Sequence, residues 1–427
     1  MTSKLKIWHL IIAICIALLL LNYGLVIKTY SLIIIYLQIL LENYPRAISQ
    51  LGFSLIDSFA SAILVVIIPI FVYLLRKRVK IFYVSLNFTS AAIIILISFF
   101  IFAPFAASSN PNFQQNISET KLLPPFSSVE VIHLNKNEKP EQNLIGKFYN
   151  LKKEVVKNTF DESIILADSI VFSKVATIYQ KGNQVILPKD TILLSYGKPM
   201  ITKKLFLFGT DEYGRDIYSR LVYGARISLF VGLGSVTISL LLGLSLGFLA
   251  GYPGGFVDTI ISRVTDMFLS FPAIFLVILI LALFGNSLFT VIIVLGFSGW
   301  MSLFKIVRSE VVSLKQKDFF ISAKMSGLSE YRLLTKEVLP LILAPVVVNL
   351  VFQYGSVILA EAALSFLGLG TGSSYPSWGA MIEAGQNYLT EAWWMILPPG
   401  LCLFVTLYAA NNLGKEINLI FNPRLKG

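Results

Sequence analysis

Histidine and cysteine are almost missing from this chain of 427 residues, which has only His9, His133, Cys15 and Cys402. Two histidines so far apart argue against a His-based metal site, and no Ser/His/Asp or Cys/His set can be assembled for covalent catalysis. Both cysteines lie inside apolar runs, so neither a disulfide framework nor a redox motif is expected. Charge is also scarce, at 14% of residues. No G-x-x-x-x-G-K-[ST] run occurs, so the chain does not cradle ATP phosphates in that way. The glycine-rich stretch from Gly368 to Gly372 is assigned no phosphate either.

What the chain has is apolar length. Hydrophobic residues make up 56% of it, and its mean hydropathy is +0.74, far from the balance of a soluble domain. The net charge of +11 could point to nucleic acid, but much of the basic charge flanks apolar runs. That placement fits membrane topology with anionic lipid as neighbour, and no nucleic-acid partner is expected.

Read in order, residues 1–81 form an N-terminal extension with two spans. Ile7 to Ile27, preceded by Lys4 and Lys6, reads as a retained anchor, since it is long for a signal peptide and lacks a small-x-small cleavage site. Leu32 to Leu41 is too short to span and is expected at the interface. Ile56 to Leu75 spans, and Arg76, Lys77, Arg78 and Lys80 place its end in the cytoplasm. Phe82 to Ala107 then runs outward. Ser108 to Lys203 is too charged for lipid. Its runs Ser169 to Phe172, Val175 to Tyr179, Val185 to Leu187 and Thr191 to Leu194 alternate with turn chemistry at Lys181-Gly182-Asn183 and Pro188-Lys189-Asp190, which predicts a small β-rich external domain.

Residues 204–427 hold the remaining spans: Ile227 to Gly251, Met267 to Phe284, Leu288 to Phe304, Leu341 to Phe366 and Trp393 to Tyr408. A short cytoplasmic turn is predicted for Tyr252 to Asp266. Gly243, Gly247 and Gly251 recur every fourth residue and strip one helix face of side chains, which allows another helix to approach closely. The external segment Leu367 to Ala392 carries Glu383 and Glu391 and no Lys or Arg, while Lys415, Arg424 and Lys426 stay inside. Both termini are therefore expected in the cytoplasm.

The polar segment Phe304 to Glu337 holds seven Lys/Arg against four acids, as expected of a cytoplasmic loop. Within it, Asp318 is placed to cap a short helix whose first turn is Phe319 to Ser322, and Gly327 to end it. The stretch 318–340 resembles the cytoplasmic signature loop of ABC-importer permeases, with Ser322, Ala323, Gly327, Val338, Leu339 and Pro340 at the spacing of the peptide/nickel branch. Ile321 and Ser322 depart from it, standing where the family has Glu and Ala. FGTDEYGRDIYSRLVYGARISL (Phe208 to Leu229), AEAALSFLGLG (Ala360 to Gly370) and PSWGAMI (Pro376 to Ile382) resemble the shorter-type dipeptide/oligopeptide permease subunit. The resemblance covers about Phe82 to Arg424 apart from one insertion, Phe126 to Lys203; Asn110 to Pro125 corresponds to the family's usual short loop.

The resemblance implies an all-α polytopic protein of the bacterial cytoplasmic (inner) membrane. It would have a six-helix permease core, two extra N-terminal helices and the inserted domain. It implies an importer for di- or oligopeptides, with a second permease subunit, two ATP-binding subunits and an external solute-binding protein as partners. ATP and Mg would sit on those partners and no cofactor on this chain. The coupling residues would be Asp318, Phe319, Ile321, Ser322, Ala323, Gly327, Leu339 and Pro340.

Glu361, in an apolar run, is a candidate for translocation or gating, because a carboxylate there is costly unless paired or wet. Asp211, Arg215, Asp216, Arg220 and Arg226 make a charged external start to a helix, read either as ion pairs among themselves or as a contact for a delivering protein. Import of nickel or another small solute stays open within the family. An ion-coupled transporter, or an anchored interaction protein working through its external domain, is the rival from another class.

Overall fold

The computed structural model describes all residues except 1–4, 80, 81, 83, 136–142, 173–175, 181, 182, 189, 190, 196, 197, 371–374 and 422–427. Lys4, Lys80, Val175, Arg424, Lys426 and the expected turn positions at 181–182 and 189–190 thus lie outside the described residues, as do Thr371 and Gly372. Two compact units emerge: Met1–Arg226 with Ala384–Pro399, and Ile227–Glu383 with Gly400–Gly427.

The first unit opens with α1 (Ile7–Leu21), α2 (Tyr23–Glu42), α3 (Tyr44–Gln50), α4 (Phe53–Leu75) and α5 (Phe88–Ala106). The expected single anchor from Ile7 to Ile27 is instead broken at Asn22, which ends α1 after 15 residues. Its second part belongs to α2, which runs through the segment expected at the interface. Cys15, Val65 and Phe102 pack together, as do Val26, Ala62 and Phe105, which binds α1, α2, α4 and α5 into one core. Asn87 caps α5 by accepting from the Ser90 N–H at 2.9 Å, and Ser90 answers with its hydroxyl on the Asn87 N–H.

The part between α5 and the next long helix begins with α6 (Ile117–Thr120) and contains α7 (Leu144–Val155), a helix that the sequence reading did not separate from the strands. Around it lie β1 (Ser127–His133), β2 (Ile164–Ala167), β3 (Ser169–Phe172), β4 (Ala176–Gln180), β5 (Asn183–Leu187), β6 (Leu194–Ser195), β7 (Lys198–Pro199) and β8 (Ile201–Phe206). Two antiparallel three-stranded sheets form, ordered β2-β1-β8 and β3-β4-β5, with β6 and β7 as a separate pair. Ser127 faces Phe206 across the β1–β8 ladder, so the insertion leaves and rejoins the core at neighbouring points.

The helices that follow are α8 (Ile217–Gly251), α9 (Gly255–Leu269), α10 (Ala273–Phe284), α11 (Leu288–Lys315), α12 (Asp318–Met325), α13 (Glu330–Arg332), α14 (Leu339–Phe366), α15 (Trp378–Gly385) and α16 (Leu397–Phe421). The segment expected as a cytoplasmic turn, Tyr252 to Asp266, is largely α9. It meets α10 at a bend of 86°. Pro272 stands at the N-cap of α10, and a proline there cannot continue the preceding helix. Met267 to Phe284 is therefore not one straight span.

Among the described residues, seven helical stretches are long and apolar enough to cross a membrane, or eight if the bent α9–α10 pair is one span. Helix is the form hydrocarbon demands, because every backbone donor and acceptor is then satisfied within its own segment. The second unit's core is built where α8, α11 and α14 meet, with Leu303, Val307, Val311, Ile342 and Val346 buried together.

Candidate functional site

The 318–340 loop is an ordered body. Phe320 of α12 is buried with Leu333, Val338 and Ile342, so one side chain pins the short helix to the base of α11 and α14. Phe319, Ile321, Met325 and Tyr331 remain exposed, Met325 at 85% and Tyr331 at 77%. Ser322 is exposed and Ala323 half-buried.

Asp318 is not the cap expected of it. Lys317 occupies the N-cap without a side-chain bond, and Asp318 sits in the first turn. A carboxylate there still complements the positive end of the helix dipole. Gly327 ends the helix with φ +78, donating its N–H to the Lys324 carbonyl at 3.1 Å, while Leu328 donates to Ala323 at 3.4 Å. That pair of bonds is the Schellman arrangement, and its left-handed position favours glycine. Nothing lies within 4 Å of a Cβ built on Gly327, so backbone conformation alone sets the requirement.

Leu339 opens α14 and Pro340 follows. Pro340 has no N–H for the Lys336 carbonyl, and the turn just before it, Leu333–Val338, widens into a π-helix. Lys315 closes the other side by donating to the Gly251 and Tyr252 carbonyls at the end of α8. Arg308 forks onto Asp258, joining α11 to α9, with Nη2 at 2.7 Å from Oδ2. The Lys305–Asp266 pair is about half exposed on both sides and contributes little.

The glycine stripe of α8 meets α11 residue for residue. A Cβ on Gly243 would stand 2.8 Å from the Leu303 Cβ, one on Gly247 2.6 Å from the Val307 Cβ, and one on Gly251 3.0 Å from the Val311 Cβ. The helices touch along three successive turns.

Glu361 is fully buried near the C-terminal end of α14. Ser365 donates to it at 2.8 Å and Ser228 lies at 3.4 Å, with the Ser377 hydroxyl as a third partner. Ser228 also accepts from the Trp378 N–H at 3.2 Å. The carboxylate thus joins α8, α14 and the start of α15. No cation faces it in these bonds.

The charged cluster expected at an external helix start is interior. Asp211, Arg215, Asp216 and Arg220 are each at most 6% exposed. Asp211 accepts Arg215 Nε at 2.6 Å and the backbone N–H groups of Tyr213 and Arg215 at 2.9 Å, with Arg220 Nε at 3.6 Å. Asp216 caps α8 through the backbone N–H groups of Tyr218 and Ser219, and takes the Ser219 hydroxyl at 2.6 Å and that of Ser108. Burial, and then Asp211 beside it, pushes the Glu212 carboxyl up. Asp211 and Arg215 pair directly, while Asp216 and Arg220 find serine, asparagine and backbone partners; buried in this way, the four shape the start of α8 and offer no open charged face.

Two further features were missed. Asp57 of α4 pairs with Arg226 at 2.5 Å, and Lys157 donates to the Pro104 carbonyl at 3.0 Å. Burial pushes the Lys157 ammonium down to about 8, opposed by Asp216 and aided by Lys204. A lone carboxylate inside the apolar run Ile56 to Leu75 was the available signal for Asp57; nothing in the sequence marks Lys157.

Residues 243–427 match the family model described as "Binding-protein-dependent transport system inner membrane component". The chain is 39% identical over 219 residues to the dipeptide transport system permease protein DppC of Alkalihalophilus pseudofirmus, covering 51% of this chain and 72% of that one. It is 37% identical over 221 residues to the di/tripeptide transport system permease protein DppC of Pseudomonas aeruginosa, covering 52% and 73%. With the oligopeptide transport system permease protein OppC of Bacillus subtilis the identity is 34% over 236 residues, covering 55% and 77%. This chain therefore belongs to the inner-membrane permease components of binding-protein-dependent transport systems and is a multi-pass membrane protein.

Proposed function

We propose that this chain is the shorter-type permease subunit of an ATP-driven importer of di- and oligopeptides, with both termini in the cytoplasm. It pairs with a second permease subunit and docks two ATP-binding subunits, which carry ATP and Mg. An external binding protein delivers the peptide. The observation that carries this reading is α12: anchored by Phe320, it holds Phe319, Ile321 and Met325 outward on a short rigid helix. A cleft closing on that face would pull the attached ends of α11 and α14 together, and ATP then drives transport by favouring one of two states.

The test is purification of the tagged chain from its native membranes in mild detergent, with the accompanying chains identified by mass spectrometry. A second permease and ATP-binding subunits are expected. The ATP-binding subunits should be lost when Ala323 and Gly327 are both replaced by bulky residues. Recovery of the chain alone, under conditions that preserve a known complex of this kind, would overturn the reading in favour of an ion-coupled transporter. Uptake of labelled dipeptide into proteoliposomes containing the purified complex, set against uptake of nickel, tests the substrate class.

A further inference from the structure

Helix α5 carries a defect near its outer end. Pro104 has no N–H to give the Phe100 carbonyl, and the backbone kinks at Phe102, with φ −106 and ψ 22. In an apolar surrounding, carbonyls freed in this way need outside donors. Three side chains supply them. Arg226 donates through Nε to Phe100 at 2.8 Å and through Nη2 to Ile101 at 3.3 Å. Ser61 donates to Ile101 at 2.8 Å. Lys157 donates to Pro104 at 3.0 Å and to Ala107 at 2.5 Å, closing the end of the helix.

The origin of these groups matters. Ser61 belongs to α4, and so does Asp57, whose carboxylate balances Arg226 at 2.5 Å. Lys157 follows α7. Apart from Arg226, then, every group that repairs the defect comes from the N-terminal extension or the insertion, the two segments outside the family resemblance.

Those two segments also hold each other. Leu32, Tyr36 and Ile39 of α2 share a buried core with Phe148 and Val155 of α7. Lys28 pairs with Glu154 at 2.8 Å, and Lys152 donates to the Gln50 carbonyl at 3.0 Å. The buried side chains of Leu32, Tyr36 and Ile39 mark the stretch of α2 taken up by this contact. A plain membrane anchor would leave that face to lipid.

We propose that the N-terminal extension and the external insertion form one accessory body that seats the kinked outer end of α5, with Asp57 as the positioning residue for Arg226 and Lys157 as the helix-end cap. Any movement of the outer end of α5 then has to carry the accessory body with it. The insertion acts on the permease through this helix.

The test is hydrogen–deuterium exchange, read by mass spectrometry, on the full chain in lipid nanodiscs. In Asp57→Asn, exchange in the peptide 99–107 is expected to rise about fivefold or more, with α11 unchanged. Lys157→Met should raise exchange in the same peptide and in 144–156. Asp57→Glu, which keeps the charge, should stay within about twofold of the parent. Ser61→Ala removes one hydroxyl and leaves no charge unpaired, so it serves if a charged-site variant does not fold, with a smaller rise confined to 99–107. Unchanged exchange at 99–107 in Asp57→Asn and Lys157→Met would overturn the proposal. So would a uniform rise across the whole chain, which would mark Asp57 as a general stability residue.

Discussion

Glu361 shows how a single residue can be read correctly as costly and still not be understood from sequence. Its burial required partners, and the structure supplies three serine hydroxyls from three segments in place of a cation. Glu361→Ala removes the acceptor these hydroxyls share and should cost about 2 kcal/mol. Glu361→Gln keeps shape and an acceptor and should cost less. Thermal unfolding of the two purified variants checks the order, and equal melting temperatures would refute it. Gly327 is the converse case. Its surroundings are open and only its φ of +78 is demanding. Gly327→Asn should therefore retain most ATP-driven uptake, since Asn tolerates the left-handed region, whereas Gly327→Val should insert in the membrane yet leave the complex hydrolysing ATP without transport. Equal uptake by both would show that the backbone turn is irrelevant to coupling.

At the scale of elements, the α8–α11 contact depends on the missing side chains. Gly247→Leu would drive a side chain into Val307, whose Cβ lies 2.6 Å from the added atom, and should destabilise by about 3 kcal/mol or separate the helices. Gly400→Ala in α16 meets nothing within 4 Å and should change stability by no more than about 0.5 kcal/mol. Folded yield in detergent, with the melting temperature of each variant, measures both. The four-residue spacing of Gly243, Gly247 and Gly251 made the stripe visible in sequence. Its partner was not visible, because Leu303, Val307 and Val311 look like any other apolar residues of a spanning helix. The loop helix was legible for similar local reasons: charge excess, the glycine stop and the Leu339-Pro340 boundary. Its cap was misassigned, since Asp318 one position further along serves the dipole in place of the cap. The bend between α9 and α10 was missed because hydropathy alone does not register Pro272 at a helix start.

For the whole molecule, the insertion leaves and returns through paired strands, Ser127 opposite Phe206. Replacing Phe126 to Lys203 with a short turn should therefore leave the chain in the membrane and still able to recruit ATP-binding subunits through α12. The same deletion removes Lys157 and α7, so uptake should fall. Co-purification and uptake measured side by side separate the two effects, and loss of recruitment would show that the insertion supports the fold itself. Hydropathy, the placement of Lys and Arg, and a few spaced motifs were enough to determine a polytopic membrane permease and to mark the short helix of the 318–340 loop, because these properties are written locally along the chain. Only the tertiary structure decided that α2 is covered by α7, that Asp57 belongs to Arg226, and that three serines hold Glu361. The physical reason is that an apolar or charged residue announces what it must avoid or find, and lipid and protein interior are equally apolar to a leucine. Which surface or partner meets the requirement is settled only when distant segments fold together.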